Sequence, residues 1–334
     1  MLNQPYALAL DSDYLNGKSF ADFYQSAAAS FPHLCSLLDH DRTAEIPMRE
    51  YTQMMNSISW EFEDVSDGGR GEAYNVAQKA TGNRQTGMLS LLSFFSPSFC
   101  DIPDAPIQIL DVLGGDGTIA RFVNSLQGPR PTIYTADLSR YMIEACLRQG
   151  LPCIRQSATQ SLFQDDVLDG VLIAYGSHHL TPEARHLASL EAHRTLKSGG
   201  RLVLHDFETG GRTAQWFEEV VHPYSRTGHP HPHFSRQEMW ETLGEAGFQD
   251  IRILELNDPF TLLGESAEEA VAHAVMHMYH MYDLVKIANG EADILPRVKK
   301  CIEETLGPIE VYERGQRFLA TIPRKSLVAI GTKS

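Results

Sequence analysis

The residues that most clearly point to chemistry are two aspartates that flank a glycine-rich turn. Asp111 lies near the end of an apolar run, and Gly114, Gly115 and Gly117 follow that run. Asp137 ends the next apolar run, twenty residues after Gly117. Glycines let the backbone approach a ligand closely, and the helix after the turn presents free N–H groups. A carboxylate at the end of the second run can accept hydrogen bonds from both hydroxyls of a ribose. The spacing therefore predicts a nucleoside site.

The turn and the charge balance both argue against a phosphate-bearing ligand. The turn matches neither GxGxxG nor GxxxxGK[ST], the two motifs that cradle phosphates. The chain has 28 Lys+Arg against 43 Asp+Glu, a net charge of -15, which repels phosphate backbones and anionic lipid. We therefore expect a nucleoside ligand and a small-molecule substrate, with neither nucleic acid nor a membrane as partner.

A second group of chemical residues follows the fourth apolar run. Tyr175, His178 and His179 come directly after it, and the carboxyl ends of parallel strands form the rim where ligands bind. Either histidine could act as a general base near neutral pH, although a histidine here could also only pack or cap the next helix. The Tyr175 ring could face a cation, as could that of Tyr134. Arg84 is a candidate clamp for a carboxylate.

The histidine run of residues 222–234 raises the question of a metal. His229, His231 and His233 fall on one side of an extended, proline-stiffened segment. Metal ligation would need further ligands, and no carboxylate or cysteine stands at a helical spacing that would complete the set. We therefore expect a pocket wall and no metal.

A late histidine stripe has the spacing of one helix face. His273, His277 and His280 are four and three residues apart, within a segment rich in Met and Tyr. Met and Tyr at helical spacing usually belong to a core. We predict a helix that packs over the site as a lid or against a second copy of the chain, and a homodimer is accordingly one expectation. If this helix has a functional role, its Met-rich face would line a flexible substrate pocket.

The elements that must position these residues are those of an α/β protein. Short apolar runs alternate with amphipathic stretches from residue 107 onward, which is typical of a parallel sheet with helices between its strands. The predicted strands are 107–113, 132–137, 152–156, 168–175, 201–207, 248–256 and 326–332. The predicted domains are an N-terminal helical cap (1–100), the ligand-binding core (101–256), a helical insertion over the site (257–325) and the final core strand (326–334). The helices predicted in the cap span residues 20–31, 48–62 and 72–95.

Four motifs resemble those of class I S-adenosylmethionine (SAM) dependent methyltransferases: ILDVLGGDG, TADLS, LDGVLIAYGSHHL and LKSGGRLVLHDF. The resemblance implies a Rossmann-like sheet of seven strands, with the last antiparallel and inserted between the fifth and sixth. It also implies SAM as the cofactor. Asp111 would lie near the methionine amino group, the glycines would face the cofactor, Asp137 would hold the ribose and Leu138 would stack on adenine.

Two positions depart from this family's pattern. Leu113 stands where the family has its first glycine, and Ser157 followed by Ala158 stands where an acidic residue accepts from the adenine amino group. A serine hydroxyl can still accept such a hydrogen bond. We therefore keep Ser157 and Ala158 as expected cofactor contacts, in an atypical adenine site.

Three functions follow from the resemblance. The first is methyl transfer to a small molecule of specialised metabolism, with the cap and the insertion enclosing the acceptor. The second is similar to azetidine-2-carboxylate synthases, in which the amino group of SAM attacks its own γ-carbon and methylthioadenosine leaves. The third is a SAM-binding regulatory protein without catalysis, although the retained Asp111, Gly115 and Asp137 argue against it.

The remaining sequence features concern the compartment. The N-terminus lacks the basic start and sustained apolar run of a signal peptide, and no window offers 18 consecutive apolar residues. The five cysteines show no CxxC spacing, so neither a disulfide framework nor a zinc knuckle is indicated. We expect a cytoplasmic protein with reduced, mostly buried thiols.

Overall fold

The computed structural model describes residues 20–45, 48–58, 61–288 and 294–334. The first nineteen residues of the predicted cap therefore lie outside the described residues. So do residues 59 and 60 within a helix expected over 48–62, and residues 289–293 of the insertion.

Ten strands are formed by the described residues. They are β1 (Gln108–Val112), β2 (Thr132–Asp137), β3 (Cys153–Arg155), β4 (Leu168–Ala174), β5 (Leu196–Asp206), β6 (Gln249–Asn257), β7 (Phe260–Gly264), β8 (Glu310–Arg314), β9 (Arg317–Ile322) and β10 (Lys325–Thr332). Seven of them make one sheet in the order β3-β2-β1-β4-β5-β10-β6. Its pairs are parallel except those of β10, which runs antiparallel between β5 and β6. The predicted fold class, a seven-stranded sheet whose last strand runs antiparallel between the fifth and sixth, is confirmed.

The α-helices of the described residues are α1 (Phe20–Ser30), α2 (Pro32–Ser36), α3 (His40–Glu45), α4 (Met48–Ile58), α5 (Gly71–Gln78), α6 (Gln85–Ser93), α7 (Thr118–Ser125), α8 (Arg140–Arg148), α9 (Pro182–Thr195), α10 (Arg212–Trp216), α11 (His222–Tyr224), α12 (Arg236–Glu245), α13 (Ala267–Met281) and α14 (Leu295–Thr305). A π-helical turn, Phe217–Val221, joins α10 to α11. The side chains of Ser139, Thr181 and Ser235 each accept from a backbone N–H in the first turn of α8, α9 and α12. Such capping satisfies donors that a helix start leaves unpaired.

The N-terminal helices pack directly on the sheet. Phe23, Leu34 and Leu38 are buried in the same apolar cluster as the strand residues Ile109 and Leu172. Because the cap shares one core with the sheet, the division at residue 100 stays a prediction.

One long helix expected over residues 72–95 is instead broken. α5 ends at Gln78, a 3₁₀ turn spans Thr81–Arg84, and α6 starts at Gln85. The break lies at Ala80, whose backbone angles (φ -95, ψ 87) are not helical. Arg84 lies at the end of this 3₁₀ turn and is buried.

The insertion differs from the prediction of a helical segment, because it also contains strands. It contains α13 and α14 and, in addition, an antiparallel sheet in the order β7-β9-β8. Burial alternates along β7 and β9, but both strands are short, and every residue of β8 is exposed. The hydrophobic periodicity of the sequence therefore gives little indication of these strands. α13 packs on this sheet and on α5, and the insertion has its own apolar cluster around Phe260, Val275 and Met278.

The cysteines and the helices bear on two expectations, reduced thiols and the lack of a long apolar segment. The five cysteines are free, and Cys35, Cys146 and Cys153 are buried. Among the described residues, no helix combines the length and the apolar character needed to cross a membrane.

Candidate active site

A cavity of about 230 Å³ opens at the carboxyl ends of the central strands, between the core, the cap and the insertion. All three parts of the chain contribute walls. The core supplies Leu113, Gly115, Asp137, Leu138, Ser139, Met142, Ala174, Tyr175, Gly176, His178, His179, Leu180, Phe207, Phe217 and His231; the cap supplies Ile58, Glu61, Phe62, Arg70, Tyr74 and Arg84; the insertion supplies Phe260, Met281, Tyr282 and Arg324.

The glycine-rich turn forms one wall through an unusual backbone path. Leu113, Gly115 and Gly117 all have positive φ, of 60, 58 and 80 degrees. The Gly115 N–H donates to Asp137 Oδ2 over 2.9 Å, which ties the turn to the end of β2. A side chain at Gly114 would press on Asp111 Oδ2, only 2.7 Å from its Cβ position. Leu113, which stands where the resembled family has its first glycine, therefore takes a left-handed conformation.

The two predicted aspartates lie beside this turn in a poorly solvated setting. Burial, followed by the nearby charge of Asp137, raises the pKa of Asp111 to about 8. Asp111 Oδ2 is buried without a hydrogen-bond partner among the described residues. Burial also raises the pKa of Asp137 to about 6, although N–H groups of Ser139 and Gly115 donate to it. A ligand with a positive charge or with hydroxyl donors would stabilise the ionised form of both carboxyls.

The predicted adenine contacts are only partly found at the cavity. Leu138 lines it with Ile58, Ser139 and Met142. Ser157 and Ala158 do not line it, and neither do Asp111, Gly114 and Gly117, so cofactor contact by these residues stays a prediction. The Ser157 N–H donates instead to the Tyr51 hydroxyl at 2.7 Å, because α4 of the cap packs over the end of the short strand β3.

Tyr175 lines the cavity but already has a cation on its ring. The Arg84 guanidinium lies 3.6 Å from the ring centroid, and the His205 ring lies 4.3 Å away. The Tyr175 hydroxyl donates to Asp258 Oδ1 at 3.3 Å, and Asp258 pairs with Arg324. The expected stacking of a ligand cation on Tyr175 is therefore replaced by Arg84.

Tyr134, the other aromatic residue considered for a cation, lies elsewhere. It is buried in the main core next to Phe163, at 6.3 Å between ring centroids, and it does not line the cavity. β2 presents this side chain to the core because alternate residues of a strand face opposite sides.

His178 is held by a carboxylate that sequence spacing could not pair with it. Its Nδ1 lies 2.8 Å from Asp206 Oδ1 at the end of β5. Asp206 also accepts from the backbone N–H groups of His178 and Phe207, each at 2.7 Å, and from the Ser177 hydroxyl. Despite its burial, these donors hold the pKa of Asp206 well below its usual range. Burial lowers the pKa of His178 to about 3, so its imidazole is neutral at neutral pH.

His179 is oriented by Glu61 of the cap in the same way. Its Nδ1 lies 3.0 Å from Glu61 Oε2, and His231 Nε2 lies 3.4 Å from the same oxygen. Arg70 donates to the other carboxylate oxygen, Oε1, at 3.0 Å. The structure thus brings the histidine run of residues 229–233 to the pair that follows β4.

The late histidine stripe lies on α13 but outside this cavity. His273, His277 and His280 line a separate groove between α13 and the cap. His273 Nδ1 lies 2.8 Å from the Leu263 carbonyl oxygen, and the His277 ring packs against Phe260 at 4.8 Å. Only the end of the helix reaches the site, through Met281 and Tyr282. Only this end of the helix lies at the site, so a lid function and contact with a second copy both stay predictions.

Sequence reasoning missed several residues of the site. Glu61, Arg70, Asp258 and Arg324 were not among the candidates. Asp258 directly follows β6 and Arg324 directly precedes β10, so a search for polar residues at strand ends would have found them. Glu61 and Arg70 lie in an irregular segment of the cap, where sequence carries no comparable signal.

Comparison with known proteins agrees with this arrangement. Residues 110–204 match a family described as "Methyltransferase domain". The ubiquinone/menaquinone biosynthesis C-methyltransferase UbiE of Stutzerimonas stutzeri is 30% identical over 126 residues, which cover 35% of this chain and 48% of that protein. The enzyme of the same name from Bordetella avium is 32% identical over 107 residues, 30% of this chain and 41% of that protein. The chain thus spans about half the length of the curated relatives it matches.

A solved structure shows the same fold. Phosphoethanolamine N-methyltransferase 2 of Haemonchus contortus, in complex with SAM, superimposes with a TM-score of 0.51 at 17% identity, covering 78% of this chain and 56% of that one. Residues 110–204 thus match a methyltransferase domain, and the sheet has the antiparallel last strand between the fifth and sixth that the resemblance to class I SAM-dependent methyltransferases implies. The sequence of this core is similar to the UbiE C-methyltransferases.

Proposed function

We propose that this chain transfers the methyl group of SAM to a small molecule held in the enclosed cavity. The observation that supports this best is that one cavity joins Asp137 and the glycine-rich turn to walls from the cap and the insertion. A chamber closed by the chain's own elements favours a small acceptor over a polymer.

The chemistry of the cavity supports the following arrangement of the cofactor. Asp137 would accept from the ribose hydroxyls, and Leu138, Ile58 and Met142 would contact the adenine. Asp111, with its unpartnered oxygen, would receive the methionine ammonium. Arg84 is buried, and its Nε has no hydrogen-bond partner among the described residues. It suits the methionine carboxylate, because a buried guanidinium needs an acceptor.

The acceptor would occupy the end of the cavity away from Asp137. That end is mostly aromatic, with Tyr175, Phe207, Phe217 and Phe260. The relatives' name gives quinone precursors as one class to test. The walls from the cap and the insertion lie outside the matched residues 110–204, so the acceptor of this chain is set by segments that the family match does not include.

Methyl transfer requires no covalent bond between the protein and the reactants. A nucleophilic atom of the acceptor attacks the methyl carbon, the carbon–sulfur bond breaks toward sulfur, and S-adenosylhomocysteine leaves. A proton on the acceptor must pass to a base. The chain's contribution is to align acceptor, methyl and sulfur and to exclude water, a factor that reaches several orders of magnitude in rate.

The deciding experiment incubates purified protein with SAM alone and with candidate acceptors, and identifies every product by mass spectrometry. S-adenosylhomocysteine that forms only with an acceptor supports the proposal. Methylthioadenosine with a compound matching azetidine-2-carboxylate, formed from SAM alone, would instead establish the cyclase alternative. Absence of SAM binding in calorimetry would contradict both and favour a role without catalysis.

A further inference from the structure

Five histidines from two distant segments meet at one edge of the cavity. We call them the histidine cluster: His178, His179, His229, His231 and His233. Ring centroids lie 4.9 Å apart for His178 and His229, 4.5 Å for His179 and His231, and 5.3 Å for His179 and His229. The cluster is assembled by folding alone, because residues 180–228 of the chain lie between its two halves.

His229 is the member that most clearly lacks a partner. Its side chain is buried, with 5% of the residue exposed, and neither ring nitrogen has a hydrogen-bond partner among the described residues. The neutral imidazole carries a lone pair on one ring nitrogen. Buried polar groups are nearly always paired, because leaving one unpaired is costly. A metal ion would satisfy this lone pair.

Three overlapping triads have ligand atoms within 4.8 Å of one another: His178, Asp206 and His233; Glu61, His179 and His231; and His178, His179 and His229. The carboxylates of the first two triads already accept several hydrogen bonds. Asp206 receives two backbone N–H groups and a hydroxyl, and Glu61 receives Arg70. The all-histidine triad is the one whose use as ligands leaves those bonds intact.

The two carboxylates then support the triad from behind. Asp206 holds His178 Nδ1 at 2.8 Å, and Glu61 holds His179 Nδ1 at 3.0 Å. Metal-binding histidines almost always have the second ring nitrogen bonded in this manner, which fixes the ring and raises its basicity. In both rings Nε2 is the nitrogen left for a metal.

We propose that His178, His179 and His229 form a binding site for one divalent cation of the Zn²⁺ class. Imidazole nitrogens suit this class, and three protein ligands leave a fourth position open. Bonds of about 2.0–2.1 Å would draw the nitrogens closer than they lie now, which small side-chain rotations accomplish. Because His178 and His179 line the cavity, the open position would face the acceptor.

An ion placed there would bind water or an oxygen of the acceptor. As a Lewis acid it would favour an anionic oxygen on that acceptor and so assist loss of a proton next to the atom that is methylated. The metal site itself can be measured without SAM and without an acceptor, so its test is separate from that of methyl transfer.

The test is metal binding by the whole chain. Protein freed of metal with a chelator and titrated with Zn²⁺ should bind one equivalent, measured by calorimetry and by elemental analysis after gel filtration. We expect His229→Ala and His179→Gln each to weaken binding at least 100-fold. Glu61→Gln, which removes only the support for His179, should weaken it 10- to 100-fold. His273→Ala is the matched control, because His273 is half exposed and outside the cluster.

Folding of each variant is checked by circular dichroism and by SAM binding. His179 is partly exposed, at 18% of its side chain, so its variant decides the matter if His229→Ala fails to fold. Wild-type protein that binds less than a tenth of an equivalent of Zn²⁺ would overturn the site. Equal binding by wild-type protein and the folded His179→Gln variant would overturn this ligand set.

Discussion

At the scale of single residues, Asp111 shows a conflict between stability and binding. A buried carboxyl with an unpartnered oxygen costs free energy in the unliganded protein whenever it is ionised. In the proposed placement of SAM, the same ionised carboxyl would be the partner of the methionine ammonium. The residue is therefore best explained by the ligand and not by the fold.

Replacing Asp111 by Asn should stabilise the unliganded protein in a pH-dependent way. The pKa of about 8 in the folded state lies above the ordinary 3.8. The carboxyl's contribution is therefore fully present below about pH 4 and is lost as pH rises through 8. Thermal unfolding should show Asp111→Asn more stable than wild type at pH 9, by about 1–3 kcal/mol, and similar near pH 4.

The same variant should bind SAM at least tenfold more weakly in calorimetry, because the ammonium loses its charged partner. Asp104→Asn, on an exposed loop, is the control and should change neither property. A stability difference that is the same at both pH values would show that Asp111 does not titrate as described.

Replacing Arg84 by Gln should weaken SAM binding through the methionine carboxylate. A charge-assisted hydrogen bond contributes about 1.5–3 kcal/mol, or roughly 10- to 100-fold in affinity. Decarboxylated SAM separates this cause from general disruption, since wild type and variant should bind it alike. Arg314→Gln, on the exposed strand β8, is the control. An equal loss for both ligands would contradict the assignment.

At the scale of elements, one buried network joins the three parts of the molecule. Asp258, after β6, pairs with Arg324 after β9 and accepts from Tyr175 after β4. α6 approaches this network at Gly87, where a Cβ would collide with Asp258 Oδ1 and lie 2.9 Å from the Tyr175 hydroxyl. Glycine is required at this position of the helix because of that close approach.

Gly87→Ala should therefore destabilise the protein although alanine favours helices. Overpacking of this kind costs about 1–3 kcal/mol, and displacement of Asp258 should also disturb Tyr175 and lower SAM affinity. Gly82→Ala is the matched control, since its Cβ would meet no atom within 4 Å. Denaturant unfolding that shows equal stability for both variants would contradict the close approach.

At the scale of the whole molecule, the cavity exists only where the core, the cap and the insertion meet. The apolar cluster of the sheet includes cap residues, and a second cluster joins the insertion to Ala77 of the cap and to Phe207 and Trp216 of the core. A ligand in the cavity contacts all three parts, so it should couple them.

SAM binding should accordingly protect more than the glycine-rich turn. At one hundred times its dissociation constant, SAM adds about 2.7 kcal/mol of stability, which should raise the melting temperature by several degrees. Amide hydrogen exchange should slow in α4, α5 and the end of α13 as well as in residues 111–117. The Asp111→Asn variant is the control. Slowing confined to the turn would show that the cap and the insertion do not close on the cofactor.

The sequence by itself determined the seven-stranded core and half of the site. Strand runs, glycines and the aspartates at strand ends are local patterns, and neighbouring positions in the chain suffice to detect them. The departures had local causes as well. The helix breaks at Ala80, where Gly82 in the following 3₁₀ turn is a weak signal, and the strands of the insertion are too short for periodicity to reveal them.

Only the tertiary structure decided which side chains meet. Asp206 with His178, Glu61 with His179, Arg84 on Tyr175 and His229 beside the pair after β4 all join segments far apart in the chain. Such contacts depend on how the cap and the insertion pack on the sheet, which is set by the burial of many apolar residues together. No spacing within one segment records that outcome.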